Sequence, residues 1–477
     1  MAAFSAEEII LATGGALLQG IKSRRVSGVC TDSRLVRKGN VFFALRGDDF
    51  DGHQFVEQVV ACDVGGIVID ERCTEKILDG LTQDVEAVDS QGLFVIGVDD
   101  TLVAYQELAS FHRRRFNIPV IAITGSNGKT TTKEMVARTL AQRWCVLKTE
   151  ANFNNRIGVP QTLFQLTKQH DVAVLEMGVD AEGQTTRLCE IAAPTIGVVT
   201  NIGPDHLEFF GSLEGSARAK AEILSALPND GTIILNSDDS FFPFLKNRVR
   251  GHMVSFGFNA NAQFRASEVK RVGAQTTFRA RVPDQQRANH VSVKVHGQHN
   301  VLNAMAAVAV GRVLGLSMEK IKAGLAAFRP MDMRSHIRRD QGFTIIEDCY
   351  NANPASMKAA IDLLVEMGES KQTIAVLGDM LELGQETNQL HQDIGAYVSA
   401  RGVTRLVACG NLGKEFAKGA RAHGMSQETV IEVPGANEAS TVLADVAQVG
   451  DVILLKASRG MRLERVLQHF PPPKPTN

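Results

Sequence analysis

The sequence predicts an α/β protein of three domains: a small α/β unit, a central domain on a parallel sheet, and a C-terminal doubly wound, Rossmann-like domain. Three observations lead there. The chain has 477 residues, too many for one ordinary core. From Ile118 onward, the short apolar runs "IPVIAITG", "DVAVLEMG", "TIGVVTNIG" and "GTIILNSDD" end in Gly, Asp or Asn and alternate with helical stretches. Such alternation marks a parallel sheet covered on both faces. Beyond "FRPMDMRSH" the pattern restarts with "FTIIEDCY", "TIAVLGDM", "RLVACG" and "DVILLKAS". The boundaries so drawn are 1–99, 100–329 and 330–477.

Each segment has its own signature. Residues 1–99 mix short strands and turns, and "DGHQFVEQVVACDVGGIVID" reads as helix then strand. "DTLVAYQELASFHRRRF" is an amphipathic helix with a basic end at Arg113, Arg114 and Arg115, leading into the central domain. "MVSFGFNANAQFRASEVKRVGAQTTFRARVPD" alternates like antiparallel strands of an inserted or flanking sheet. "GQHNVLNAMAAVAVGRVLGL" restores a helix, and the proline-rich tail "PPPKPTN" is expected to be disordered.

Composition narrows the functional classes. A hydrophobic fraction of 44% with 22% charged residues is that of a soluble globular protein. The formal net charge of -2 offers no overall attraction to nucleic acid or anionic lipid. Seven cysteines without a CxxC pair suit reduced thiols in the cytoplasm. Glu7 and Glu8 near the start argue against a secretory leader, and no apolar run approaches the roughly 20 residues that span a bilayer. A soluble monomer without membrane insertion is the expectation.

The chemistry begins at "VIAITGSNGKTTTKEM". A strand that breaks at glycine and turns into a helix exposes backbone N–H groups at the positive end of the helix dipole. The loop Gly125, Ser126, Asn127, Gly128, Lys129, Thr130, followed by Thr131, is shorter than the general phosphate loop, whose first glycine would fall at Ile123. Lys129 would reach the outer phosphates, and the Thr130 hydroxyl would ligate Mg²⁺. Glu176 ends the strand "DVAVLEMG" at the edge where parallel sheets place ligands. It reads as a cap or ion-pair partner on its own and as a metal ligand beside a phosphate loop. His206, in "GPDHLEFFGS", lies at the same edge, although such a histidine is ordinarily a surface or structural residue. Lys220, on the helix "SLEGSARAKAEIL", reads as a solvated side chain.

The succession ITGSNGKTTTKEM, LEMG, TNIGPDHLE, ARAKAEI, HNVLNAMAA resembles the ATP-dependent Mur ligases, which extend the peptide of the cell-wall precursor. "EDCYNANPASMKAA", "VLGDMLELGQE" and "LLKASRGMRLE" resemble the branch that adds D-alanyl-D-alanine to UDP-N-acetylmuramoyl-tripeptide, and "TDSRLVRKGNVFFALRG" resembles that branch's UDP-sugar-binding domain. The resemblance implies ATP and Mg²⁺ as cofactors, with Thr130 and Glu176 on one ion and His206 on a second. It implies that Lys220 is carbamylated by CO₂ into an anionic ligand, and that Lys129, His206 and Lys220 are catalytic. It puts Asn303 beside adenine, Arg334 and Asp348 on phosphate and ribose, and Ser33 and Arg34 on the uridine diphosphate. Read alone, these last five are ordinary turn, cap or surface residues. Two departures stand out: the branch usually has Gly where Met333 stands, and often Ser at Cys349.

The implied reaction activates a carboxylate as an acyl phosphate before an amine attacks it, with domain closure to exclude water. Other uses of the loop are a phosphotransferase or nucleotide switch, and a non-catalytic nucleotide-binding module. The short loop with Ile123 argues against the first, and the presence of Lys129, Glu176 and His206 against the second. Among ligases, the folylpolyglutamate and diaminopimelate-adding relatives are the nearest alternatives, and the YNANP and LGDMLELG stretches weigh against them.

Overall fold

A computed structural model describes residues 2–47, 50–82, 92–369 and 371–468. The proline-rich tail expected to be disordered lies outside them. Near the N-terminus, strands Val29–Cys30, Val41–Phe43, Gly66–Asp70 and Phe94–Val98 form a parallel sheet, and Ala16–Gln19 adds an antiparallel edge. This is the small α/β unit that the first hundred residues predict.

The helix Thr101–Arg113 joins this unit to the next. Asp100 caps it by accepting from the Leu102 and Val103 N–H groups. Its buried Tyr105 and Leu108 belong to one continuous apolar cluster that also holds Phe4 and Val26 on one side and Val120 and Leu175 on the other. At the basic end, Arg113 is buried, and its guanidinium donates to the carbonyls of Ala192 (2.9 Å), Phe116 (2.6 Å) and Ile118 (3.1 Å). One cation thereby anchors the approach to the strand that carries the phosphate loop, where an unpaired buried charge would be costly.

The central sheet has nine strands. Val146–Lys148, Val172–Glu176, Val120–Thr124, Ile196–Val199, Thr232–Asn236 and His252–Gly257 lie side by side in parallel. Val120–Thr124 is buried along its whole length, which is why it reads as an uninterrupted apolar run. The segment expected as an inserted or flanking antiparallel sheet behaves differently in part. His252–Gly257 is the last strand of the parallel core, and Phe264–Val272 pairs with it in parallel over two residues. Only Gln275–Arg281 and Asn289–Val293 continue antiparallel, as a hairpin-like extension of the same sheet. Helices Lys129–Leu140 and Gln298–Val313 cover one face, burying Met135, Val136, Met305 and Val308 in a second cluster.

After the segment 331–335, the C-terminal sheet runs His336–Asp340, Phe343–Glu347, Val452–Lys456, Thr373–Gly378, Arg405–Cys409, Val430–Val433, all parallel except the first. The four runs read as strands in the sequence are its centre. All seven cysteines are free thiols. Among the described residues no helix is long and apolar enough to cross a membrane.

His112, on the joining helix, packs its ring against Phe4 and Phe164, and its Nε2–H donates to the Leu166 carbonyl. Burial pushes its imidazole down to about 4. The unfolded chain takes up this proton near pH 6.5, so the neutral ring's contribution is complete above that pH and fades as pH falls towards 4. The loss is at most about 3 kcal/mol. Urea midpoints at pH 7.5 and pH 5 should drop more for the wild type than for His112→Leu. Equal drops would exclude His112 as the cause.

Candidate active site

The phosphate loop is held open by two glycines. Gly125 has φ +134°, and a Cβ there would lie 2.0 Å from Thr200 Oγ1. Gly128 has φ +79°, and a Cβ would lie 2.4 Å from Asn303 Oδ1. Both conditions exclude other residues. Gly128 is the N-cap of helix Lys129–Leu140 and supplies no side chain to it, so the first-turn N–H groups keep their capacity for an anion. Asn127 is clamped from the next strand: its N–H donates to Asn201 Oδ1 (2.9 Å), while its carbonyl accepts from Thr200 Oγ1 (2.6 Å) and Asn201 Nδ2 (2.9 Å). Lys129 Nζ curls over the loop and donates to the Gly125 carbonyl at 2.6 Å.

Glu176 lies beside this loop, as its position at a strand end predicts. Its Oε1 accepts from Thr130 Oγ1 (3.1 Å) and Asn154 Nδ2 (2.8 Å), while its buried Oε2 has no hydrogen-bond partner among the described residues. The nearest cation to Oε2 is Lys133 Nζ at 3.8 Å, fully buried and likewise without a hydrogen bond. Lys133 also pairs with Glu134 at 3.2 Å, and Glu134 with Lys148 at 2.7 Å. Among the described residues no three His, Cys, Asp or Glu side chains form a closed metal-binding group. A hydroxyl and an orphaned carboxylate oxygen nonetheless suit Mg²⁺, which takes one or two protein oxygens and completes its shell with phosphates and water.

Lys220 is not the solvated side chain that composition suggests. It is buried, donates to Asp205 Oδ1 (3.0 Å) and Ser216 Oγ (2.7 Å), and its ammonium lies 4.7 Å from the centre of the Phe210 ring. Asp205 in turn accepts from Ser126 Oγ of the phosphate loop at 2.7 Å. Burial would raise the Asp205 carboxyl, but the Lys220 and Lys129 charges hold it below the usual carboxylate value. Burial lowers the Lys220 amine against the pull of Asp205. The next residue, His206, lines the cleft above the loop, and its Nδ1 pairs with Glu382 of the C-terminal domain.

The cleft, of about 650 Å³, lies between the central and C-terminal sheets. Asn303 faces it from helix Gln298–Val313, accepting from Thr132 Oγ1 at 3.2 Å. From the C-terminal side, the Arg334 guanidinium stacks 3.8 Å from the Tyr350 ring centre. Asp348 accepts from the Ser335 N–H (2.8 Å) and from Lys456 Nζ (2.6 Å). Asn353 caps helix Pro354–Gly368 in a capping box with Ser356, and its Nδ2 donates to Asn127 Oδ1 at 2.9 Å. The YNANP stretch therefore touches the phosphate loop directly. Ser33 and Arg34 are not brought to this cleft: they follow strand Val29–Cys30, where the Arg34 guanidinium forks onto Asp32.

Both departures have physical content. Met333 has φ +58° and Ser335 φ +47°, so the backbone around Arg334 has the left-handed turn that glycine makes without strain. Keeping Met there costs about 1–2 kcal/mol. Cys349 is buried and its thiol is pushed up to about 12, which leaves it unreactive at neutral pH.

The Mur ligase middle domain pattern matches residues 123–311, the Mur ligase glutamate ligase domain residues 333–459, and the Mur ligase family catalytic domain residues 25–112. The UDP-N-acetylmuramoyl-tripeptide–D-alanyl-D-alanine ligase of Bacillus subtilis is 36% identical over 444 residues, 93% of either chain. The chain belongs to the Mur ligase family. The Escherichia coli ligase of the same name is 33% identical over 93% of each chain. Among solved structures, MurF from Acinetobacter baumannii superposes on this Mur ligase with a TM-score of 0.88 at 30% identity over 98% of both chains. MurF from Thermotoga maritima in complex with ADP gives 0.80 at 26% identity, over 93% of this chain and 97% of that one.

The cap of helix Pro354–Gly368 can be separated from its contact with the loop. Asn353→Ala removes the cap oxygen and should cost about 1 kcal/mol in urea unfolding. Asn353→Asp keeps a capping oxygen and should stay within about 0.5 kcal/mol of the wild type. Equal losses in the two variants would mean that the contact with Asn127, not the cap, carries the stability.

Proposed function

We propose that this Mur ligase joins D-alanyl-D-alanine to the terminal carboxylate of UDP-N-acetylmuramoyl-tripeptide, converting ATP to ADP and phosphate. The observation that carries the reading is the contact between Asn353, in the stretch most characteristic of that branch, and Asn127 of the phosphate loop. The two halves of the reaction, phosphoryl transfer and amide formation, then share one cleft. In this reading residues 1–99 hold the UDP-sugar end, with Ser33 and Arg34 on the diphosphate. Residues 100–329 hold ATP, and residues 330–477 bring the dipeptide. The enzyme works as a cytoplasmic monomer.

A carboxylate is a poor electrophile. In the first step its oxygen attacks the γ-phosphorus of ATP, the bond to the ADP oxygen breaks, and an acyl phosphate forms. The dipeptide's neutral amine then adds to the carbonyl carbon, phosphate leaves with the bonding pair, and the nitrogen loses a proton. Two anions must meet in the first step. Lys129 and the N–H groups of the loop would offset that repulsion and stabilise the transferring group. In this reading Asn303 would border the adenine, and Arg334 and Asp348 would serve phosphate and ribose; all three line the cleft.

Thr130 and Glu176 would hold Mg²⁺, and His206 would contribute to a second ion; bound there, the metal supplies positive charge beside the phosphates. Lys220 suits carbamylation because burial lowers its amine, and the neutral amine is the form that reacts with CO₂. The nitrogen bonds to the carbon of CO₂ and releases a proton, which turns a buried cation into a carboxylate-like anion. Removing the positive charge frees Asp205 from its partner and adds oxygen ligands at the edge of the loop.

Two measurements test the reading. Phosphate release from ATP should require both UDP-muramoyl-tripeptide and D-alanyl-D-alanine, and Lys129→Ala should abolish it with the fold intact. Release that ignores the dipeptide would overturn the substrate assignment. Protein equilibrated with ¹³C-labelled bicarbonate should show a carbamate ¹³C resonance that is missing in Lys220→Ala. A resonance surviving that substitution would belong to another amine.

A further inference from the structure

We propose that Glu382 is a positioning residue, carried by the C-terminal domain, that fixes the tautomer and orientation of His206 only when the two domains are seated together. This rests on the ligase reading above and adds to it a residue that acts through another. Glu382 lies in the turn after strand Thr373–Gly378, at the sheet edge that faces the central domain.

Two observations single out this contact. The carboxylate of Glu382 pairs with His206 Nδ1, and one residue pair away the Glu208 N–H donates to the Glu382 carbonyl at 3.1 Å. The side chain and backbone of one residue thus grip a single turn of the other domain. Moreover, both partners have left-handed backbones, His206 with φ +51° and Glu382 with φ +64°. Non-glycine residues persist there only where their surroundings over-determine them, and such positions cluster at functional contacts.

The turn that carries Glu382 is rigid from behind. Both Asp379 oxygens accept backbone N–H groups of Asn411 and Leu412, the Met380 N–H donates to the buried His391 Nε2, and the Leu381 N–H donates to Ser458 Oγ. His391 Nδ1 in turn donates to the Thr387 carbonyl, so its Nε2 is free to accept. A turn so fixed delivers a carboxylate to one place. An imidazole whose Nδ1–H is taken by a carboxylate must present Nε2 as a lone pair. His206 lines the cleft, where such a lone pair would serve what the cleft holds. Seating the C-terminal domain would then complete His206 in the same movement that brings the dipeptide.

The test uses the full-length enzyme labelled with ¹⁵N-histidine, the His206 signals being identified by their loss in His206→Asn. In the wild type with ATP analogue and UDP-muramoyl-tripeptide, His206 should be the Nδ1–H tautomer; in Glu382→Ala it should shift towards the Nε2–H form. Turnover should fall about 10- to 100-fold in Glu382→Ala with KM for ATP little changed, and Glu382→Gln, whose amide oxygen still accepts, should recover most of it. In the His206→Asn background, Glu382→Ala should add nothing further. An unchanged His206 tautomer, or losses that multiply in the double variant, would overturn the proposal. The tautomer measurement needs no turnover, so its failure is distinct from a failure of the ligase reading, which shows as wild-type phosphate release without the dipeptide.

Discussion

Anion binding at the end of a helix requires that its first N–H groups stay unspent, and the loop from Gly125 to Gly128 meets that requirement at two levels. Glycine at both positions lets the chain pass against Thr200 and Asn303 where any side chain would collide. Asn201 and Thr200 then absorb the polar groups of Asn127, so the loop's shape does not depend on a ligand for its hydrogen bonds. The rest of the molecule can be understood as support for this turn. The strand before it is buried on both sides by the central sheet, and Arg113 ties down the chain that leads into that strand.

Around the loop, buried and half-buried charges alternate in sign. Lys148, Glu134, Lys133 and Glu176 form one series, and Lys220 with Asp205 forms another that reaches the loop through Ser126. Such pairs contribute little to net stability, because desolvation offsets attraction. Removing one member leaves its partner buried and uncompensated, at a cost of about 3–5 kcal/mol. The arrangement is better understood as orienting carboxylates around a polyanion than as holding the fold. The Glu176 oxygen left without a hydrogen bond among the described residues is the place where that balance is incomplete.

Much of this was legible in the sequence, for identifiable reasons. A strand buried on both faces must be apolar throughout, so Val120–Thr124, Val172–Glu176 and Val452–Lys456 announce themselves, and the residues ending them fall at the ligand edge. Glu176 was found in that way. Lys133, Asp205 and Lys456 were not, because a buried lysine or aspartate has the same letter as a solvated one, and only the fold reveals its partner. Lys220 read as solvated for that reason. Asn353 carried a usable signal, since Asn before Pro and three residues from Ser is a helix start; its contact with Asn127, 226 residues away, is purely tertiary. The strand pair His252–Gly257 and Phe264–Val272 misled because alternation reports a half-exposed face, not the direction of the neighbouring chain.

The curled side chain of Lys129 has a thermodynamic consequence for recognition. A free lysine surrenders up to about 2 kcal/mol of rotameric freedom when a ligand pins it. Here the carbonyl of Gly125 already holds the ammonium, so that surrender is settled while the chain folds. Meeting a triphosphate then becomes an exchange of one oxygen for another, with little ordering left to oppose it.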